Sequence, residues 1–217
     1  NAANGDGFSR EKGIITRIGA GAPANFNIGA GYRFNPHFAL AIEAYSYSGL
    51  TTFTGVMDAR YHILDSSFTP FVATKLGYGK LGMTMEYRTY YDLLGSLTAG
   101  ISWKMEHSPL RLTATLDGLT DWDEEDFYFP DGHGAGKGQI LRRHFLFGAD
   151  FMLTDCLYVA GGCNLRTRDE LSGDGSKGLT GFSAGTGLRL SRMSFDLSVG
   201  KYQISHSSMV FNFAFRL

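Results

Sequence analysis

Period-two alternation of apolar and polar residues runs through most of this chain and governs its final segment, MVFNFAFRL. There Met209, Phe211, Phe213, Phe215 and Leu217 fall on one face, and Asn212, Ala214 and Arg216 on the other. Side chains of a strand point to opposite faces at successive positions, so this spacing specifies a strand with one greasy side. The same pattern precedes it. Met193, Phe195, Leu197 and Val199 alternate with Ser194, Asp196, Ser198 and Gly200; Phe145, Phe147, Ala149, Phe151 and Leu153 alternate with His144, Gly148 and Asp150. Near the start, Phe26, Ile28, Ala30, Tyr32 and Phe34 oppose Asn25, Asn27, Gly29, Gly31 and Arg33.

Turn-forming residues arrive every ten to fifteen positions, and β-branched, aromatic and glycine residues fill the windows between them, so helical spacing never persists. Thirteen candidate strands can be marked, at roughly 13–21, 25–34, 38–47, 53–64, 68–79, 83–91, 94–105, 110–119, 140–153, 156–167, 179–190, 193–203 and 208–217. A closed antiparallel barrel with both ends on one side needs an even number. Counted from the C-terminus, Ser191–Arg192, Thr154–Asp155 and Glu106–Pro109 are short turns on one side, while 120–139 and 168–178 are long loops on the other. The tight turns at Asn35–His37 and Asp65–Ser67 break this order by falling on the long-loop side. One strand between about 80 and 105 is therefore one too many, or chain is missing there. The expectation is an all-β fold, a transmembrane antiparallel up-and-down barrel of about 12 strands, with 10 to 14 as the range.

A soluble sandwich or barrel would also alternate, so the direction of the greasy face decides the class. The greasy phases beginning at Leu97, Leu110, Phe145, Met193 and Met209 carry no charge, as lipid contact requires. The opposite phase holds Gly, Ser, Thr and Asn with isolated charges of both signs: Arg33, Glu43, Lys104, Arg111, Asp117, Asp150, Arg189, Asp196 and Arg216. That composition suits a hydrated lumen, since a soluble surface would carry more Lys and Glu. Aromatic residues near strand ends (Tyr45, Tyr47, Tyr61, Tyr87, Tyr90, Tyr91, Trp103 and Tyr202) match the girdles that sit at membrane interfaces. Phe145, Phe147, Phe151, Phe195, Phe211, Phe213, Phe215 and Leu217 are thus assigned to lipid, and Arg111, Asp117, Asp150, Arg189, Asp196 and Arg216 to the lumen. The expected compartment is a Gram-negative outer membrane, with its lipids as partners.

No run of eighteen apolar residues offers a spanning helix, and a mean hydropathy of −0.11 hides strands that need only alternate apolar residues. A formal net charge of −1 argues against a nucleic-acid partner. Nothing near Asn1 has the order of a signal peptide, so the chain reads as mature or as a fragment. It is expected to form one domain over 1–217, with 1–12 as a flexible lead-in. Cys156 and Cys163, seven apart in one expected strand, point to opposite faces and imply neither a disulfide nor a metal pair.

The terminal MVFNFAFRL resembles the C-terminal assembly signal of bacterial outer-membrane barrels, with Leu217 where an aromatic is usual. The stretch from about 94 to 217, through PLRLTATLDGL, LRRHFLFGADFMLTDCLYVAGGCNLRTRDEL and KGLTGFSAGTGLRLSRMSFDLSVGKYQISHSSMVFNFAFRL, is similar to the end of the PorQ and PorV family of type IX secretion. That family is usually much longer than this chain. The resemblance implies a fold like the 14-stranded fatty-acid channels and a non-enzymatic role in protein export or surface attachment. On that reading the loops at 120–139 and 168–178 would present a surface to other membrane or secretion proteins. The segment GAGYRFNPHFALAIEAYSYS resembles a generic small outer-membrane barrel.

Three segments invite a chemical reading. DWDEED gathers Asp121, Asp123, Glu124, Glu125 and Asp126, and alternate carboxylates such as Asp121, Asp123 and Asp126 can surround Ca²⁺, but an ordinary solvated loop is the preferred reading. DGHGAGKG lacks the Ser or Thr after Lys137 that a phosphate loop needs. In QISHSS, His206 with Ser208 is similar to the His-x-Ser of barrel-embedded lipid A deacylases, but no acidic residue follows, and a polar hairpin tip accounts for the pair. The histidines show no zinc spacing, and no cofactor is expected. Lumen charges at Arg111, Asp117, Asp150, Arg166, Arg189 and Asp196 could form an ion-paired plug or line a path for polar solutes. Their near balance indicates no strong ion selectivity, and about 12 strands implies a plugged or very small pore. The leading expectation is an interaction or assembly component rather than an enzyme. The alternatives are a passive channel for small or hydrophobic solutes and a lipid A deacylase-like hydrolase.

Overall fold

A computed structural model describes residues 12–22, 25–47, 52–63, 67–82, 89–120, 122–123, 136–171, 178–201 and 207–216. Its strands are β1 (Gly13–Ala22), β2 (Asn25–Arg33), β3 (Phe38–Tyr47), β4 (Thr52–His62), β5 (Phe68–Gly82), β6 (Thr89–Lys104), β7 (Leu110–Leu116), β8 (Phe145–Met152), β9 (Leu157–Asn164), β10 (Phe182–Arg189), β11 (Met193–Gly200) and β12 (Ser208–Arg216). Two short helices, α1 (Lys137–Arg143) and α2 (Leu165–Glu170), precede β8 and follow β9. Every strand pairs antiparallel with its neighbours in sequence, and β1 closes the ring on β12 through the register Ile15↔Arg216 to Ala22↔Met209. Closure gives every strand a neighbour on both sides, which is the condition for a sheet to sit in hydrocarbon, where no water can satisfy a free amide.

Twelve strands replace the thirteen marked from sequence. The expected strands 83–91 and 94–105 are one long β6, joined to β5 by 83–88, which lie outside the described residues. With that strand removed, the turns at 34–37 and 63–67 move onto the rim that also carries 105–109, 153–156 and 190–192. All the long connections, 117–144 and 165–181 among them, then fall on the opposite rim. In outer-membrane barrels short turns face the periplasm and long loops the outside. Residues 140–143, expected at the start of a strand, are instead the last turn of α1, and 165–167 open α2. There the Asn164 side chain accepts from the Thr167 backbone N–H at 3.1 Å. It thereby caps a helix where the strand reading ran on. Cys156 lies in the turn before β9 rather than within a strand, and both cysteines are free thiols. Of the expected lead-in over 1–12, residues 1–11 lie outside the described residues.

Burial is inverted relative to a soluble protein. Phe26, Ile28, Ile42, Leu97, Ile101, Phe147, Phe151, Val159, Phe182, Met209 and Phe211 are all exposed on the outer wall. Arg33, Thr69, Thr98, Ser102, Arg111, Thr113, Thr115 and Asp150 are buried inside. Facing water, that outer surface would be an apolar patch far beyond what a monomer tolerates; facing acyl chains it is the solvent-matched side. Tyr61 and Trp103 stand exposed near the short-turn rim, 52% and 46% accessible, where amphipathic rings settle at the headgroups. Tyr87 and Tyr202, and the side chains of Tyr45, Tyr47, Tyr90 and Tyr91, lie outside what is described.

Inside the wall, glycine makes room for the few large rings. Phe71 pairs in register with Gly100 and is 2% exposed, its ring lying over the bare Cα. A Cβ at Gly100 would come within 2.5–2.9 Å of Phe71 ring atoms and the Ala114 carbonyl oxygen. Gly100→Val is therefore expected to cost about 1–3 kcal/mol in urea unfolding from vesicles, the usual penalty for overpacking.

Candidate functional site

The barrel encloses a cavity of about 710 Å³ at its short-turn end. It reaches the rim at Ser67, Pro109, Asp155, Ser191 and Arg192 and extends inward to Ser198 and Asn212. Its lining follows from strand phase: residues of the inward-facing set, from β1 and β5–β12, supply Ser, Thr, Asn and Gly backbone between charged side chains.

Register places the charges. Lys104, Arg111, Asp150 and Ala160 lie in one transverse row across β6–β9, and Arg111 Nε donates to Asp150 Oδ2 at 2.9 Å. Both side chains of this pair are under 10% exposed, so it is the most desolvated ion pair in the lumen among the described residues. On the far wall, Gly29, Arg17, Ala214, Ser194 and Arg189 form a second row, and Arg17 Nη1 reaches Glu43 Oε1 at 2.9 Å. The small Ala214 and Ser194 leave Arg17 and Arg189 room to extend into the space. Arg189 lies over the Tyr158 ring, 4.6 Å from its centroid, and the Tyr158 hydroxyl donates to Asp196 Oδ1 at 2.6 Å. Arg216 donates to the Ser191 carbonyl at 2.7 Å across the rim. Gly187 is required here: a Cβ would collide with both the Tyr158 ring and the Asp196 carboxylate.

Of the residues assigned to the lumen from sequence, Arg111, Arg189, Asp196 and Arg216 line this cavity and Asp150 stands behind Arg111. Asp117 lies at the other rim, where Thr98 Oγ1 donates to its carboxylate at 2.5 Å and its backbone is tied to His144. Arg166 is a correction: it sits on α2 rather than in a strand, and pairs with Glu170 at 3.0 Å. Arg142–Asp169 at 2.8 Å and Arg143–Glu170 at 4.0 Å then tie α1 to α2 at the long-loop rim. The sequence reading did not assign Arg17, Tyr158 or the turn residue Arg192 to the lumen. Inward phase marks Arg17 and Tyr158, but only the register shows that they meet the same space.

Phe147, Phe151 and Phe211 are exposed on the outer wall, while Phe145, Phe195, Phe213 and Phe215 are half-buried; the Phe145 ring stacks on Phe147, and Phe195 and Phe213 have centroids 5.0 Å apart. Leu217 lies outside the described residues. So do His206, Asp121 and Asp126; Ser208 begins β12 at the long-loop rim, and Asp123 is exposed. Among the described residues no three metal-ligating side chains come together.

This geometry defines a bacterial outer-membrane β-barrel with a polar interior. No protein-family model and no curated protein matches the sequence. Solved structures do match the fold. Outer membrane protein Omp33 of Acinetobacter baumannii superposes with a TM-score of 0.58 at 9% identity, covering 97% of this chain and all of that one. The KdgM porin superposes with a TM-score of 0.55 at 11% identity, covering 94% and 98%. At such identities the likeness is one of fold. The 14-stranded fold implied by the PorQ and PorV resemblance is not the one formed, since the ring closes at twelve.

Proposed function

We propose that the protein is a passive outer-membrane channel for small polar solutes. The observation that carries this reading is the polar cavity of about 710 Å³ inside a lipid-facing barrel, open at the short-turn rim. Its charged and hydroxyl-bearing lining suits hydrated solutes and disfavours hydrophobic ones, whose transfer into a polar lumen gains nothing. The porin fold of a structural neighbour supports the same reading by analogy. The scaffold role in type IX export rests on sequence resemblance alone, and the hydrolase on His206 and Ser208 alone.

Reconstitution into planar lipid bilayers tests the channel. Discrete conductance steps in KCl are expected, with swelling of proteoliposomes in isotonic small sugars. Folded protein that gives neither steps nor swelling would return the scaffold reading to first place.

A further inference from the structure

The chain as a whole is close to neutral, with a formal charge of −1, but the lining of the cavity is not. Arg17, Lys104, Arg111, Arg189, Arg192 and Arg216 line it, against Asp155 and Asp196. Adding Glu43 and Asp150, which hold Arg17 and Arg111, still leaves two more cations than carboxylates. Of these carboxylates, Glu43 and Asp150 accept from arginines and Asp196 from Tyr158.

Topology sets the cations on opposed walls. In a ring of twelve strands, β1 and β7 are six apart in either direction, as are β12 and β6. Arg17 and Arg216 on β1 and β12 therefore face Arg111 and Lys104 on β7 and β6 across the cavity. A sphere of 710 Å³ is about 11 Å across, close to the Debye length of about 8–10 Å at physiological salt, so the potentials of the two walls overlap inside it. The surrounding hydrocarbon, with its low dielectric constant, confines those field lines to the lumen. Guanidinium forks match carboxylates in a bidentate way, and Ser194, Ser198 and Asn212 beside them offer hydrogen bonds to hydroxyls.

We infer that the short-turn end of the lumen is an anion-selecting vestibule that favours small hydroxylated carboxylates over cations and over neutral sugars of like size. This rests on the channel reading and gives it a substrate class.

The test is the zero-current potential of the reconstituted protein across a tenfold KCl gradient, with heat-modifiable gel mobility as the check that each variant is folded. Chloride is expected to permeate about threefold or more faster than potassium, as charged rings of this kind produce. K104Q/R189Q should bring the ratio toward one, and K104E/R189E should reverse it. K104Q/R192Q, which leaves the Arg189–Tyr158 contact in place, should also lower it. Sodium gluconate should reduce the chloride current at concentrations where glucose has no effect. Steps with a ratio of one or below in the unaltered protein would overturn the inference and leave the channel standing. A ratio unmoved by all three variants would remove these residues as its source, and an effect of glucose equal to that of gluconate would remove the carboxylate preference. Folded protein without steps would end both readings together.

Discussion

Replacing Asp150 by Leu is expected to lower the stability of the barrel by about 3–5 kcal/mol, the cost of stranding a buried charge. Arg111 and Asp150 are the least exposed ion pair in the lumen among the described residues, held by two contacts at 2.8 and 2.9 Å between β7 and β8. The stranded guanidinium would also lie in register beside Lys104, so a like-charge contact would add to the desolvation. The double variant R111L/D150L removes both charges together and should recover most of the loss, because a buried pair gains little over apolar residues of similar volume. Urea unfolding from lipid vesicles, followed by tryptophan fluorescence, measures both. A loss below about 1 kcal/mol for Asp150→Leu would mean that lumen water solvates Arg111 as a surface residue is solvated, and that the pair does not hold the wall.

That pair shows where the sequence was legible and where it was not. The inward phase of Arg111 and Asp150 follows from local alternation, as does the outward phase of Phe147, Phe151 and Phe211, because a strand's side-chain period needs only the chain itself. Their pairing depends on the register of β7 on β8, and register is a property of two segments and the loop between them. The same limit hid the meeting of Arg17 with Glu43, 26 positions apart. It also hid the cation excess of one end, since composition averages both rims of the barrel.

Element boundaries failed for local reasons. The Leu93–Leu94 doublet interrupts the alternation of β6 and suggests a break, yet the strand runs through it from Thr89 to Lys104. Ile140 and Leu141 continue the apolar look of the segment before Phe145, but β7 is already complete at Leu116, so this stretch belongs to a loop and winds into α1. The resemblance to PorQ and PorV was carried by alternating strands of the C-terminal half, a pattern that any lipid-facing barrel must share.

The membrane reading itself makes the sharpest comparison between two positions at the same level of the wall. Phe211 pairs with Leu197, faces outward and is 50% exposed; Ser198, the next residue along β11, faces the cavity. If the outer wall meets hydrocarbon, Phe211→Arg should cost about 2–4 kcal/mol, the penalty for a cation near the bilayer midplane. Ser198→Arg enters a polar space and should cost well under half as much. A soluble barrel predicts the reverse for Phe211, because an exposed ring exchanged for Arg in water relieves an apolar patch and leaves stability within about 0.5 kcal/mol. Reversible urea folding into phosphatidylcholine vesicles gives both values on one scale. Should Phe211→Arg cost no more than Ser198→Arg, the exposed rings would not be facing acyl chains, and neither a channel nor an anion-selecting vestibule could be maintained.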